Sequence, residues 1–198
     1  MDSPHLVRVY DAVLADSFAL ACEYLPLGSL ADPARPVSRP EILAAVRHAA
    51  LAAHAVHEAG LVHGDIKPAN ILLGAEGAKL TDLGLARFLT PGSTLTGMTQ
   101  VESVEFVDPA LLRGDRPSRA TEVWALGAGL HKALTDDGLY GELPSSSPLL
   151  AIRKVMSTAP VLSDALAPTE AALLRDCLTS TEHRLPTAAA VSERLLHL

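Results

Sequence analysis

The chain has 198 residues, 48% of them hydrophobic and 20% charged, a balance typical of one globular domain with a sizeable core. Its formal net charge of −7 argues against nucleic acid as an electrostatic partner, because such surfaces are rich in lysine and arginine. No apolar run approaches the roughly 20 residues that span a bilayer, so no membrane span is expected. The two cysteines have no metal-ligand spacing, which favours a reducing, cytoplasmic compartment.

The first element that the sequence predicts is a β-hairpin. Residues 6–10 alternate between apolar and polar side chains like a half-buried strand, and residues 18–22 do so less cleanly. Asp16 and Ser17 stand between the two runs as a turn signal. Residues 6–24 are therefore predicted to form a hairpin.

A long helix is predicted next. Ser38 and Glu41 have the spacing of a capping box, and the apolar residues that follow recur at helical spacing. Gly60 is a typical stop signal for such a helix. We expect the two histidines near its end, His54 and His57, to be partly exposed rather than to bind a metal.

Two polar groups follow, each beside a short strand-like piece. Residues 63–73 read His-Gly-Asp-Ile-Lys-Pro-Ala-Asn-Ile-Leu-Leu and end in an apolar run. Residues 79–81 form a second strand-like piece, and Asp82-Leu83-Gly84 begins twelve residues past Asn70. Either group alone would be ordinary turn chemistry. Their order and spacing are the informative feature.

The remainder of the chain is predicted to be mainly helical. Residues 85–103 are rich in Thr, Ser and Gly and show little periodicity, so they are predicted to be a polar loop. Four further segments, 119–135, 149–155, 170–178 and 187–196, are expected to be helical.

Residues 63–73 resemble the catalytic loop of protein kinases, H-R-D-L-x-x-x-N, and residues 82–84 resemble the family's metal-binding D-F-G turn. Lys67-Pro68, just after the aspartate, is typical of the serine/threonine branch. The resemblance extends over nearly the whole chain. The matched positions are His63, Asp65, Asn70, Asp82 and Gly84.

The resemblance implies transfer of phosphate from ATP, with Mg²⁺, to serine or threonine hydroxyls of a protein. Asp65 would accept or orient the hydroxyl proton, and Lys67 would place positive charge beside the moving phosphate. Asn70 and Asp82 would bind Mg²⁺ through oxygen, the ligand atom that this cation prefers. Ser103 matches the hydroxyl residue that touches the catalytic aspartate.

The same resemblance implies a nucleotide-binding hinge. Backbone groups of Glu23 and Leu25 would hydrogen-bond adenine, with Cys22 at the gate of the pocket. Ser29 would lie near the ribose, and Leu72 would be a further contact to the nucleotide.

The implied fold is α+β, a kinase-like large helical lobe with only a hinge hairpin of the small lobe. Residues 1–25 would be the small-lobe remnant and hinge, and residues 26–198 the large lobe. The first glycine is Gly28 and the first lysine is Lys67, so the family's glycine-rich loop and strand lysine have no counterpart here. We therefore expect either an N-terminally truncated kinase with impaired activity or a degenerate relative.

One departure from the family pattern concerns an ion pair that is typical of the family. Ala110 stands where the family's A-P-E turn has glutamate, while that glutamate's arginine partner is matched by Arg184. We expect Arg184 to be at least half-buried and to pair instead with Asp108 or Glu105, because an unpaired buried charge is costly. Its loss should then cost on the order of 1–3 kcal/mol.

Other departures leave two alternatives open. Glu122 replaces the aspartate of the family's D-V-W-x-L-G helix start, and Glu102 replaces the glycine before the predicted hydroxyl residue. These changes favour a catalytically dead pseudokinase that recruits a partner protein. Gly64 in place of arginine also resembles the small-molecule kinases of the aminoglycoside and choline type.

Overall fold

The computed structural model describes residues 3–14, 18–83, 87–88, 101–145 and 147–198, and it shows a mostly helical body with small sheets. Each sheet formed by these residues has two antiparallel strands. None of the described helices is long and apolar enough to cross a membrane. The α+β class predicted from the sequence is confirmed in this coarse form.

Strand β1 pairs with β2, β3 with β6, and β4 with β5. The strands are β1 (Val9–Leu14), β2 (Phe18–Cys22), β3 (Leu61–Val62), β4 (Ile71–Gly74), β5 (Gly77–Leu80) and β6 (Arg87–Phe88). The helices are α1 (Arg39–Glu58), α2 (Val101–Val104), α3 (Pro109–Leu112), α4 (Arg119–Thr135), α5 (Pro148–Ser157), α6 (Pro168–Cys177) and α7 (Ala188–Leu196). Among the sequence predictions, the turn signal Asp16-Ser17, Gly84 and most of the polar loop 85–103 lie outside the described residues.

The predicted hairpin is present between Val9 and Cys22, but it starts later than residue 6. Leu6 and Val7 leave it and lie beside β5, where the Val7 N–H donates to the Leu80 carbonyl oxygen at 3.0 Å. The two side chains are buried there, whereas the hairpin side chain of Val9 is half exposed. The prediction that residues 6 and 7 belong to the hairpin is therefore wrong, because pairing with β5 buries apolar surface that the hairpin leaves in water.

Helix α1 begins and ends where the sequence predicts. The Glu41 carboxylate accepts hydrogen bonds from the Ser38 backbone N–H at 2.8 Å and from its hydroxyl at 2.6 Å. At the other end, Gly60 has φ of +78°, a backbone conformation that glycine adopts at little cost. The buried face of the helix is rich in alanine, so α4, α7 and β5 pack closely around it.

The expectation of partial exposure is wrong for His57, although His54 is half-buried as expected. His57 is fully buried, and its Nε2 lies 2.6 Å from Oε2 of Glu122. The contact with this carboxylate on α4 satisfies one polar atom of the ring, and so offsets part of the free-energy cost of burying the imidazole.

Helix α4 runs from Arg119 to Thr135, as predicted. The Ser118 hydroxyl accepts the Thr121 backbone N–H at 3.3 Å, and the Ser118 N–H donates to the Thr121 hydroxyl at 3.0 Å. Ten of its residues are buried, so the helix is enclosed by the rest of the body rather than lying on its surface.

Arg184 has recruited the substitute carboxylate that the sequence predicts. Its guanidinium lies 2.5 Å from Oδ2 of Asp108, and both side chains are only 2% exposed. The same group donates to the Ala120 carbonyl at 2.7 Å and lies 5.2 Å from the centre of the Trp124 ring. Glu105, the other expected candidate, instead accepts the Leu139 backbone N–H at 3.2 Å.

Replacing Arg184 by alanine would leave Asp108 buried without its cation. We expect a loss of about 3–5 kcal/mol in the free energy of unfolding, measured by urea denaturation. This exceeds the roughly 1–3 kcal/mol expected from the sequence, because both partners of the pair are buried. Arg194→Ala is the matched control, because that arginine makes a partly exposed pair with Asp176 and its loss should cost less than about 1 kcal/mol. Equal denaturation midpoints for the two variants would contradict the assignment.

A pair of stacked histidines joins the N-terminal segment to α1. The rings of His5 and His48 lie 4.5 Å apart and nearly parallel, and Nδ1 of His48 accepts the Ala78 backbone N–H at 3.1 Å. Burial lowers the pKa of both imidazoles, and the nearby cation of Arg47 lowers them further. Lys79 also lowers the pKa of His5, and the His5 ring lowers the pKa of His48. The native state therefore favours two neutral rings.

This pair predicts a dependence of stability on pH. Since the native pKa values lie below the ordinary value of about 6.5, the unfolded chain binds protons first as the pH falls. The free energy of unfolding should be insensitive to these groups above that pH and should decline below it. We expect a shallower decline between pH 7 and pH 5.5 in His5→Phe, followed by urea denaturation, than in His197→Phe, which changes an exposed histidine. Identical slopes in the two variants would refute the role of the pair.

Candidate active site

The loop between β3 and β4 is built around a buried histidine. Nδ1 of His63 accepts the Asp65 backbone N–H at 3.3 Å, so the ring proton is on Nε2. That Nε2 then donates to the carbonyl oxygen of Thr81 at 2.7 Å. One side chain thus connects the two stretches in which the sequence predicts catalytic and metal-binding groups.

The β4–β5 pairing brings the same two stretches together from the other side. Ile71 is opposite Leu80, and the Thr81 backbone N–H donates to the Asn70 carbonyl oxygen at 2.9 Å. Asp82 therefore directly follows Thr81, the residue that contacts Asn70. Its φ is +65°, a left-handed conformation that aspartate tolerates better than most residues, and its side chain is exposed.

Four predicted site residues meet at one point. Oδ2 of Asp65 lies 2.8 Å from Nζ of Lys67 and 3.0 Å from Nδ2 of Asn70. The Asn70 amide also donates to the Asp65 carbonyl at 2.7 Å, and Lys67 Nζ donates to the Ser103 hydroxyl at 2.9 Å. Lys67 is thus the bridge between the aspartate and the hydroxyl, while the chemical roles of all four stay predictions.

A carboxylate from α4 holds the loop backbone. Oε1 of Glu122 accepts the Gly64 N–H at 2.6 Å, while Oε2 contacts His57 at the end of α1. Glu122 is one methylene longer than the aspartate of the family pattern, and the structure shows that this longer side chain does reach the loop. The sequence does not predict a functional role for His57. Its place in the apolar repeat of α1 does indicate that it is buried.

The predicted hinge follows β2 and is fastened to β5 by a side chain. Glu23 receives Lys79 Nζ on both carboxylate oxygens, at 2.6 and 2.8 Å, and its own backbone N–H donates to the Arg8 carbonyl. The hydrogen bond from Lys79, followed by that from the Arg8 backbone, lowers the pKa of the Glu23 carboxyl. Among the backbone hydrogen bonds that the described residues make outside helices and strands, none involves the Glu23 carbonyl oxygen or the Leu25 N–H.

The other predicted nucleotide contacts lie on different elements. Leu72 forms an isolated bridge with Ser29 and is opposite Lys79 in the β4–β5 ladder. Leu25 is buried. Cys22 ends β2 as an exposed free thiol, opposite Val9.

The donor atoms at the loop fit Mg²⁺. Both N–H groups of the Asn70 side chain are directed at Asp65, so its amide oxygen is the atom left to bind a cation. Asp82 would supply a carboxylate oxygen, and Mg²⁺ normally keeps waters and phosphate oxygens as its remaining ligands. No group of three or more His, Cys, Asp or Glu side chains in the described ranges is arranged to hold a metal ion. A two-ligand site shared with phosphate is the arrangement that these residues fit.

Comparison with known proteins identifies the family of this chain. A family model of the protein kinase domain matches residues 1–195, and the chain belongs to this family.

Among its relatives, serine/threonine-protein kinase PknB of Mycobacterium leprae is 29% identical over 157 residues, which cover 74% of this chain and 25% of that protein. Serine/threonine-protein kinase PknK of Mycobacterium tuberculosis is 42% identical over 90 residues, 45% of this chain and 8% of the relative. Mitogen-activated protein kinase kinase 1 of Arabidopsis thaliana is 30% identical over 151 residues, 73% of this chain and 41% of the relative. The chain thus spans about a quarter of PknB.

The Glu122 contacts predict how the loop responds to mutation. Glu122→Ala would leave the Gly64 N–H and the His57 ring without their shared acceptor, at a cost on the order of 2–3 kcal/mol. We expect faster hydrogen exchange of the Gly64 amide, measured by NMR. Glu122→Gln should have a smaller effect, since its amide oxygen can still accept from Gly64.

Glu58→Ala is the control for that measurement, because it removes a partly exposed ion pair with Arg119 at the same end of α1. It should leave the Gly64 exchange rate unchanged. Equal protection of Gly64 in Glu122→Ala and in the unmodified protein would show that the carboxylate does not hold the loop.

Proposed function

We propose that this chain is a serine/threonine protein kinase catalytic region that transfers phosphate from Mg-ATP to protein hydroxyls. The observation that carries the proposal is the contact of Lys67 with both Asp65 and Ser103 beside Asn70. In this proposal residues 1–25 are the small-lobe part with the hinge, and residues 26–198 are the large catalytic lobe.

The hydrogen bonds around Asp65 leave different roles to its two carboxylate oxygens. Lys67 and Asn70 bind the same oxygen, Oδ2, so the other carboxylate oxygen is left to receive the proton of an acceptor hydroxyl. The hydroxyl oxygen would attack the γ-phosphorus, the bond to the ADP oxygen would break, and the proton would pass to Asp65. Lys67, held by Ser103, would carry positive charge to the phosphate in transit.

Asn70 and Asp82 would hold the cation through their side-chain oxygens. Mg²⁺ supplies charge neutralisation for the phosphates when it is bound. His63 and the β4–β5 ladder keep the two ligand-bearing loops in register before any nucleotide binds, because both connect Thr81 to the catalytic loop. This preorganisation is the contribution of the chain itself.

The hinge proposal rests on backbone groups that other elements leave available. Adenine would take the Glu23 carbonyl and the Leu25 N–H, while Leu72 of β4 would lie under the base and Ser29 near the ribose. The Lys79 contact to Glu23 turns that side chain towards β5 and so keeps it from competing for the base.

Activity of residues 1–198 by themselves should be low. The sequence has no lysine before Lys67 and no glycine before Gly28, so within these residues nothing matches the groups that normally orient the nucleotide phosphates. Loss of one preorganised charge-stabilising group costs roughly 10²–10³ in rate in other enzymes.

Protein substrates are preferred over small molecules. The relatives named above are described as protein kinases, and none of those descriptions is of a small-molecule phosphotransferase. A protein acceptor also agrees with the net charge of −7, which disfavours nucleic acid.

The test separates nucleotide binding from phosphate transfer. Calorimetric titration with ADP should show weak binding that Mg²⁺ strengthens in the unmodified chain, and Mg²⁺ should no longer strengthen it in Asp82→Ala. Incorporation of labelled phosphate into casein and into the chain itself should be slow and should fall further in Asp65→Asn.

Glu142→Ala, which changes an exposed acidic residue remote from the loop, is the control for non-specific charge effects. Binding of ADP that is equally insensitive to Mg²⁺ in all variants would overturn the assignment of Asn70 and Asp82. Fast turnover that Asp65→Asn abolishes would keep the kinase assignment and refute the predicted impairment. Nucleotide binding without any transfer would favour the pseudokinase alternative.

A further inference from the structure

A cavity lies behind the predicted hinge, apart from the loop of Asp65. Its volume is about 250 Å³, it is partly open to solvent, and the connector to α1, the first turns of α1 and the β4–β5 hairpin line it. Apolar side chains and glycines make up most of its wall, including Leu27, Val37 and Leu73. The polar groups are few, namely Arg35, Glu41 and His48.

Strand β4 separates this cavity from the proposed nucleotide site. Leu73 lines the cavity, and since successive side chains of a strand point to opposite faces, Leu72 points away from it, to the side where we place adenine. Backbone hydrogen bonds attach the partition to the segment after the hinge, from Leu27 N–H to the Leu73 carbonyl and from Leu73 N–H to the Gly28 carbonyl. A ligand in the cavity would therefore press on the same strand that the nucleotide uses.

His48 places one hydrogen-bond donor in the cavity wall. Its Nδ1 accepts the Ala78 N–H, so the neutral ring carries its proton on Nε2, for which no described residue supplies an acceptor. The His5 ring stacks on the imidazole, and a Cβ at Gly77 would lie 2.6 Å from its Cε1, so the glycine leaves room for the ring. The donor is thus held in one orientation.

The charged groups on the rim are already matched. Arg35 and Glu41 form an ion pair at 2.6 Å, and the carboxylate also accepts two hydrogen bonds from Ser38. Neither group calls for a counter-ion from a ligand. The cavity therefore suits a neutral molecule better than an anion or a cation.

The size of the cavity restricts the class of ligand further. An apolar cavity of about 150 Å³ is enough to hold benzene, so 250 Å³ has room for two fused rings. We propose that this cavity is a binding site for a neutral bicyclic aromatic molecule with one hydrogen-bond acceptor directed at His48. The site is distinct from the nucleotide site, and the proposal does not depend on phosphoryl transfer.

Two probes that differ by one hydroxyl group, whose oxygen can accept from His48, test the proposal. 2-Naphthol and naphthalene are titrated into the full 198-residue chain without nucleotide, and the backbone amide shifts are followed by NMR. We expect saturable shifts at the amides of Leu73, Gly74 and Ala78. 2-Naphthol should bind about tenfold more tightly than naphthalene, the value of one hydrogen bond of roughly 1.4 kcal/mol.

Two alanines of α1 give a matched pair of variants. Ala44 lines the cavity, so Ala44→Phe should fill it and weaken 2-naphthol binding at least tenfold, with Ala44→Leu as a smaller second filling variant. Ala55 lies on the same helix away from the cavity, and Ala55→Phe should leave binding unchanged. Thermal unfolding of each variant checks that the fold is intact.

The remaining outcomes contradict the proposal. Shifts spread over unrelated surfaces, or binding that Ala44→Phe and Ala44→Leu leave unaltered in folded protein, would mean that the cavity is not the site. Equal affinity for the two probes would remove the role of His48, and absence of saturable binding up to the solubility limit of 2-naphthol would refute the site altogether. Failure of the chain to bind ADP would leave all these results unaffected and would bear on the proposed function alone.

Discussion

The structure depends on one buried carboxylate, that of Glu122 at the start of α4. One oxygen binds the Gly64 N–H of the catalytic loop and the other binds His57 at the end of α1, each at 2.6 Å. Because α4 is enclosed by the rest of the body, it is a rigid support, and a charged group there is tolerated only when its oxygens are satisfied. The same contact that makes burial of the glutamate possible holds the loop in which Asp65 stands.

The rest of the candidate site follows from that anchor. His63 connects the loop to Thr81, and the β4–β5 ladder places Asp82 next in the chain, so two separate stretches are aligned by backbone and buried side chains rather than by a ligand. The Arg184–Asp108 pair likewise connects the segment ahead of α4 to the region before α7 through buried side chains. Buried pairs of this kind contribute little net stability over an apolar core, but removal of one partner is costly.

Much of this could be predicted from the sequence because it is local. Helix α4 lies at the predicted residues, and α1 starts at the predicted capping box, since both depend on short-range patterns. Distances between elements were not predictable. Whether a longer glutamate reaches Gly64, and whether Arg184 takes Asp108 or Glu105, depends on how helices pack. The prediction that Leu6 and Val7 belong to the hairpin failed for the same reason, since they pair with β5, more than 70 residues away.

The central claim is that Asn70 and Asp82 are aligned to share one cation with a nucleotide, and paramagnetic NMR tests it most directly. Mn²⁺ with ADP is added in small amounts to the 198-residue chain, and the broadening of each backbone amide signal is measured before and after chelation with EDTA. We predict that the amides of Asn70 and Asp82 broaden first and recover on chelation, with weaker broadening at the hinge. Broadening that begins instead at the exposed acidic residues Asp136 and Asp137, with Asn70 and Asp82 unaffected, would contradict it.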